Sequence, residues 1–270
     1  MATQLEKAER FRALHRRAGA FLIPNPWDAG SARLLEGLGF EALATTSAGF
    51  AQTLGRLDGS VTLEEKLAHC RALAAVTGVP VSADLEQCFA DDPAGVARTL
   101  ERVAETGVVG GSVEDWSGER IYDFGHAVER IQAAVEAVRS LEFPFTLTAR
   151  AENLLRGVPD LDDTIKRLQA YAQAGADVVY APGLATLADL RTVCGAVDKP
   201  VNVLAAFFPD ATLEDFASAG AKRVSVGSAL ANVAIGATLR AGREMLDEGR
   251  FGWLAQAASG KEVRRLLGGR

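Results

Sequence analysis

Short apolar runs rich in Val, Leu and Thr alternate with amphipathic stretches along the whole chain. Runs at residues 20–27, 42–47, 79–86, 110–116, 145–150, 177–183, 200–205 and 223–228 are too short for helices and predict strands. A helical pattern follows each. The clearest begins after Pro159, where Asp160 can cap it and Leu161, Ile165, Leu168 and Ala172 recur on one face. Gly39, Gly78, Gly107, Gly175 and Gly220 each precede the next strand by a few residues, the place where a helix terminus takes up a left-handed glycine.

Strand and helix alternating with such short links imply a parallel sheet. Eight units in 270 residues predict an α/β fold, a single (β/α)8 barrel forming one domain over residues 1–270. A doubly wound open sheet is the competitor, weakened by the lack of a G-x-G-x-x-G after the first strand. Past the eighth strand, residues 229–249 read as one helix, and a second begins at Phe251. Phe251, Trp253 and Leu254 there cover either their own barrel or a neighbouring subunit.

The composition narrows the functions. Net charge is −6 and no dense Lys/Arg run occurs, so nucleic acid is not an expected partner. The charged N-terminus lacks a signal-peptide apolar core, and no stretch approaches the ~20 apolar residues of a membrane span. Cys70, Cys88 and Cys194 form no C-x-x-C pair and are expected to be free thiols in a reducing cytoplasm.

Residues at strand C-termini face the active site of such a barrel. Asp84 and Glu86 close one predicted strand, Glu114 another, and Asp58 lies in the loop after the second. Acids gathered at one rim repel unless a cation or proton is shared, which points to magnesium. Asp84 and Glu86, two apart, share a face of a regular strand. Arg150 ends the fifth strand and can grip a carboxylate, its alternative being a salt bridge to Glu114 or Glu152. Thr46-Ser47-Ala48-Gly49 reads as a small-residue turn whose N–H groups can hold an oxyanion. Trp27 ends the first strand. Asn202 suits either a ligand or a satisfied core amide, and Gly227-Ser228 is a weak anion site at a helix start. His15, His69 and His126 fall away from the strand ends and are not expected to act as bases.

These residues together resemble the isocitrate lyase/phosphoenolpyruvate mutase superfamily over nearly the whole chain. The carriers are Asn25-Pro-Trp-Asp-Ala-Gly-Ser-Ala-Arg33, Thr45-Thr-Ser-Ala-Gly-Phe-Ala-Gln-Thr-Leu-Gly55 with Asp58, Ser82-Ala-Asp-Leu-Glu86, Gly110-Gly-Ser-Val-Glu-Asp115, the Arg150 strand and Tyr171-Ala-Gln-Ala-Gly-Ala-Asp177. The resemblance implies a barrel whose last helix is exchanged between subunits of a dimer or tetramer. It implies Mg2+ held directly by Asp84, with Asp58, Glu86 and Glu114 acting largely through water. It also implies a 2-oxo acid cradled by Thr46, Ser47, Ala48 and Arg150. From their places at strand ends, Trp27 and Asn202 are expected to contact the substrate too, and Asp58, Glu114 and Arg150 are the expected catalytic set.

One departure matters. Lyases of that superfamily carry a Lys-Lys-Cys-Gly-His loop after the fourth strand, whereas this chain has Asp115-Trp-Ser-Gly-Glu-Arg-Ile-Tyr-Asp123. Arg120 and Tyr122 are the candidate substitutes for the absent proton donor. The expected activity is a Mg2+-dependent carbon–carbon lyase acting on a small 2-oxo or 2-hydroxy di- or tricarboxylate by decarboxylation or retro-aldol cleavage. The alternatives are phosphonopyruvate-type carbon–phosphorus chemistry, a weakly catalytic 2-oxo acid binder, and a synthase that binds phosphate at Gly227-Ser228.

Overall fold

A computed structural model of the chain describes residues 2–268. Its strands are β1 (Phe21–Leu22), β2 (Leu43–Ala44), β3 (Val81–Asp84), β4 (Gly110–Glu114), β5 (Thr146–Arg150), β6 (Val178–Tyr180), β7 (Val201–Leu204) and β8 (Arg223–Ser225). All pair in parallel, in the order β1-β8-β7-β6-β5-β4-β3-β2. The Ala44 amide donates to the Pro24 carbonyl at 3.1 Å between the two ends of that series. The sheet curls on itself as an α/β (β/α)8 fold, as the alternation of patterns predicts.

The helices are α1 (Gln4–Arg16), α2 (Ala29–Gly37), α3 (Ser47–Thr53), α4 (Leu63–Val76), α5 (Pro93–Ala104), α6 (Phe124–Arg139), α7 (Leu161–Ala174), α8 (Leu187–Ala196), α9 (Leu213–Ser218), α10 (Ala229–Arg243) and α11 (Gly260–Gly268). As expected, the Asp160 side chain caps α7 by accepting from the Asp163 amide, and Gly175 ends it at φ 110°. Gly39, Gly107 and Gly220 are left-handed too, but Gly78 is not; there Thr77 ends α4 in an extended conformation.

The strands are shorter than their apolar runs. The first stops at Leu22 because Pro24 and Pro26 have no N–H to continue a ladder. The third stops at Asp84, and Glu86 turns away at φ 53°. Asp84 and Glu86 therefore do not share a strand face, because period-two alternation ends where the backbone becomes left-handed.

Helix α1 closes the N-terminal end of the barrel. Phe11 is fully buried there, its ring edge-on to Phe21 at 6.4 Å. A Cβ on Gly110 would lie 2.9 Å from both Phe11 Cε1 and the Thr146 carbonyl, so only glycine admits that approach. The main core lies between the outer face of the sheet and the inward stripes of the helices, with Leu73, Leu100, Ile131, Leu168 and Val193 among its buried members.

The tail departs from a simple barrel. Helix α10 continues into a π-helical turn, Glu244–Glu248, closed by Gly249 at φ 65°. Of α10 only Ala231 is buried; Val233, Leu246 and Phe251 are 66, 85 and 61% exposed. Phe251 and Leu254 thus do not cover their own barrel. Where the sequence predicts the second tail helix to begin, residues Gly252–Gln256 form a 3-10 turn; the chain then returns in α11, which packs so closely on α2 that a Cβ on Gly37 would sit 2.8 Å from the Leu266 carbonyl. No helix among the described residues is long and apolar enough to cross a membrane.

Candidate active site

Asp84 stands at the C-terminal end of β3, held by three elements. Its Oδ2 accepts from the Ser47 amide at 3.1 Å, its Oδ1 accepts from Ser112 Oγ at 3.3 Å, and its own N–H donates to Thr45 Oγ1 at 2.8 Å. Ser47 opens α3, with Thr46 as N-cap through a 3.3 Å bond from the Gly49 amide. Thr46, Ser47 and Ala48 therefore enter a helix instead of forming a free-standing turn. One of the amides expected to hold a ligand oxyanion already holds Asp84.

Arg150 ends β5 directly opposite Glu114 in the β4–β5 register. Its guanidinium reaches Asp84 Oδ1 at 2.9 Å, Glu114 Oε2 at 3.1 Å and Glu152 Oε1 at 2.8 Å, and it lies 5.1 Å from the Tyr180 ring centre. Arg156 adds weaker contacts to Glu114 at 3.6 Å and Glu152 at 3.4 Å, while lying over Trp116. Three carboxylates thus face two guanidiniums. Burial pushes Glu114 and Glu152 above the usual carboxylate range, against the pull of Arg150. Burial acts the same way on Asp84, but there Arg150, Lys66 and the Ser47 hydrogen bonds outweigh it and hold the group low. Burial would lower Arg150, yet the charges of Glu152, Glu114 and Asp84 hold it well above its ordinary value.

Glu86 lies just beyond, its Oε1 buried without a partner among the described residues. Burial, then the charge of Asp84, push it up to about 7. It sits in a strained turn where Glu86, Cys88 and Phe89 all have positive φ, between 53° and 64°. Such non-glycine residues cost about 1–3 kcal/mol each and cluster at functional sites. Asp58 is solvent-exposed on the loop before α4 and acts on Glu86 only through its charge.

The expected ring of Asp58, Asp84, Glu86 and Glu114 does not form. Among the described residues no three His, Cys, Asp or Glu side chains come close enough to share a metal ion. The cation at the centre of the rim is the Arg150 guanidinium, which Coulomb attraction draws among the acids. The alternative reading of Arg150, a salt bridge to Glu114 or Glu152, is realised with both.

Other candidates have plain partners. Asn202 is a satisfied core amide, donating to Ser225 Oγ at 3.0 Å and accepting from Arg223 Nε at 2.8 Å. Trp27 packs against Gly49, and its carbonyl meets His69 Nε2 at 3.0 Å. The Gly227 amide donates to Asn25 Oδ1 at 2.9 Å, so it is not free for a phosphate. Tyr122 donates to the Asp91 carboxylate, leaving its proton committed away from the rim, and Arg120 is exposed. His15, His69 and His126 lie on α1, α4 and α6. The three cysteines are free, and burial raises their thiols to about 11 or 12.

Several supporting residues escaped the sequence reading. Arg130 of α6 ties the loops after β3 and β4 together by donating to the carbonyls of Glu114, Gln87 and Ala90. Asp115 accepts from the Glu152 amide at 2.8 Å and from Tyr171 and Arg167, which fixes Glu152 behind Arg150. Lys66 is fully buried in α4; its Nζ has no hydrogen-bond partner among the described residues and lies over the Phe50 ring at 6.0 Å, and its charge acts on Asp84 and Glu86. The available signal was a basic residue on the apolar face of a helix: Lys66 beside Cys70 and Leu73, Arg130 beside Ala127 and Ala134.

Comparison with known proteins agrees with this geometry. A family model described as phosphoenolpyruvate phosphomutase matches residues 11–246. A Burkholderia cenocepacia crystal structure, provisionally named a lyase/mutase, is 53% identical with a TM-score of 0.94, covering 97% of this chain and 95% of that one. The 2-methylisocitrate lyase of Escherichia coli is 30% identical over 71% of this chain and 67% of its own. The crystal structure of 2,3-dimethylmalate lyase, a member of the PEP mutase/isocitrate lyase superfamily, is 26% identical with a TM-score of 0.84, covering 99% and 95%. With acids and an arginine at the strand ends of a (β/α)8 fold, and relatives that are enzymes, this chain belongs to the phosphoenolpyruvate phosphomutase family of the isocitrate lyase/PEP mutase superfamily, a group of lyases and mutases.

Proposed function

We propose that this protein is a Mg2+-dependent carbon–carbon lyase that cleaves a small 2-oxo or 2-hydroxy di- or tricarboxylate by decarboxylation or retro-aldol cleavage. The observation that carries this reading is the Asp84–Arg150 pair at the mouth of the barrel, surrounded by more buried carboxylate than its guanidiniums neutralise. The donor set fits magnesium: all oxygen, with one well-oriented carboxylate in Asp84 and a partnerless buried oxygen in Glu86. That ion keeps several waters and needs few direct protein ligands. Asp84 would hold it directly, with Glu86, Glu114 and Asp58 receiving its waters. When bound, the ion supplies charge that stabilises negative charge developing on a substrate oxygen.

The chain's own residues have distinct tasks in this reading. Arg150 swings from Asp84 to the substrate carboxylate, a fork-to-fork contact that only a guanidinium provides. Glu152 and Asp115 keep it aimed. The amides of Thr46 and Ala48 complete the cradle while that of Ser47 keeps Asp84 in place, Trp27 walls it, and Asn202 supports its floor. Decarboxylation suits the loop after β4 best, because loss of CO2 needs no base to begin. That loop is a tight turn closed by the Trp116–Ile121 bridge, and its tyrosine proton is committed to Asp91.

The exposed apolar face of α10 and its extension supports assembly into a dimer or tetramer, with this helix exchanged between subunits. Carbon–phosphorus chemistry on phosphonopyruvate is the second reading, favoured by the family model and disfavoured by the lack of lysines in the loop. The test is calorimetric binding of oxaloacetate, 2-oxoglutarate, pyruvate and phosphonopyruvate with Mg2+ and with EDTA, with product release followed in parallel. Metal-dependent binding with carbon–carbon cleavage supports the lyase. Phosphate release from phosphonopyruvate alone selects the second reading, and binding without any turnover makes the protein a 2-oxo acid binder.

A further inference from the structure

The lumen beneath the candidate active site is unusual for a barrel of this kind. Branched apolar side chains normally fill that space. Here Thr45, Ser82, Ser112, Tyr180, Asn202 and Ser225 line a cavity of about 60 Å3 that Asp84 and Arg150 border and Arg223 also faces.

Arg223 enters this lumen from β8 and is only 5% exposed. Its Nε donates to Asn202 Oδ1 at 2.8 Å and its Nη2 to Thr148 Oγ1 at 3.0 Å, while Nη1 has no partner among the described residues. No carboxylate lies within salt-bridge reach of it among the described residues, whereas Arg150 meets three. Burial pulls Arg223 down to about 10, opposed only by the Tyr180 phenol, which burial itself raises to about 12 and keeps neutral. His15, pushed down to about 3 by burial and then by the charge of Arg223, is neutral as well. The protein therefore supplies hydrogen-bond acceptors to this guanidinium but no counter-charge. An uncompensated buried ion costs several kcal/mol. A cavity of this size, about twice the volume of one liquid water, has room for a halide ion or one carboxylate group.

We propose that the barrel lumen is a binding site for a small monovalent anion, with Arg223 Nη1 as its principal donor. Two sources share that chemistry: a free ion from solution, or the far carboxylate of a substrate whose near end lies at Asp84 and Arg150. The free-ion source is independent of the lyase reading; the substrate source rests on it.

The first arm measures thermal stability of the full chain in EDTA at constant ionic strength, replacing sodium gluconate, too large for the cavity, with sodium bromide. A free-ion site gives a rise of about 3 °C at ten times Kd that keeps growing with the logarithm of bromide concentration. It also gives an anomalous bromide peak against Arg223 in crystals, and the rise is lost in Arg223→Met. Asn202→Asp keeps the arginine and places a carboxylate against its Nε, so it also abolishes the bromide response; this variant serves if Arg223→Met does not fold. The second arm compares oxalate with oxaloacetate in the presence of Mg2+. A substrate-carboxylate site lowers oxaloacetate affinity about 10- to 100-fold relative to oxalate affinity in each variant, the loss of a charged hydrogen bond. No bromide response together with parallel changes for the two ligands overturns the proposal. So does a bromide response that Asn202→Asp leaves intact. Oxalate binding in the wild type reports separately on the lyase reading, whichever way Arg223 behaves.

Discussion

Arg150 Nη1 lies 2.9 Å from Asp84 Oδ1, bridging the ends of β5 and β3 across the intervening strand β4. Asp84 is at once the best-oriented acid of the rim and the one held ionised. A cation arriving at Asp84 competes with Arg150, and a displaced Arg150 is free to meet a carboxylate. In the proposed reaction, loading the metal and opening the substrate clamp would be one event.

Arg150→Lys is expected to weaken binding of oxalate in Mg2+ by ~1–3 kcal/mol, because an ammonium cannot fork a carboxylate. Calorimetry checks this, and an unchanged affinity places Arg150 outside the ligand contacts.

Glu152 is wholly buried and touches both Arg150 and Arg156. Glu152→Ala leaves Asp84 and Glu114 against the two guanidiniums and removes one ion-pair contact from each arginine, a loss of about 1.5–3 kcal/mol, the scale of a charged hydrogen bond. Urea unfolding should show a midpoint lowered accordingly. A loss under 1 kcal/mol would mean that solvent already reaches the pair.

His15 predicts the acid limb of stability. Burial, then Arg223, depress it to about 3 against an ordinary value of 6.5. The folded state therefore binds fewer protons than the unfolded one between those values. The contribution is fully present above pH 6.5 and is lost as pH falls towards 3, by up to about 1.4 kcal/mol per unit. His15→Leu should flatten the stability profile between pH 6 and 4, and an unchanged slope would assign the acid limb to other groups.

The barrel was legible because strand and helix periods differ and because left-handed glycines such as Gly175 punctuate the helix ends. Strand lengths were not, since Pro24 and Pro26 interrupt pairing inside an apolar run and Glu86 turns left-handed without a glycine to signal it. The positions of Asp84, Glu114 and Arg150 at strand ends followed from order alone. What they contact did not. A sequence shows that acids share a rim, but whether a guanidinium or a metal ion sits among them depends on side-chain reach across strands. Arg223 was hidden for a similar reason, because a lone basic residue at the start of a strand looks like a surface position until the barrel closes around it.

The exposed face of α10 gives a prediction about assembly. Leu246→Glu with Phe251→Glu should convert an oligomer into monomers by light scattering while leaving the circular dichroism of the barrel unchanged. A wild type that is already monomeric would contradict the exchanged-helix arrangement.

The most direct test of the central claim is titration of oxalate into wild type and Asp84→Ala, each with Mg2+ and with EDTA. Binding that requires Mg2+ in the wild type and is lost in a folded Asp84→Ala variant is the predicted result. Equal binding in both proteins, or binding indifferent to EDTA, would contradict the assignment of Asp84 as the metal-holding centre of the site.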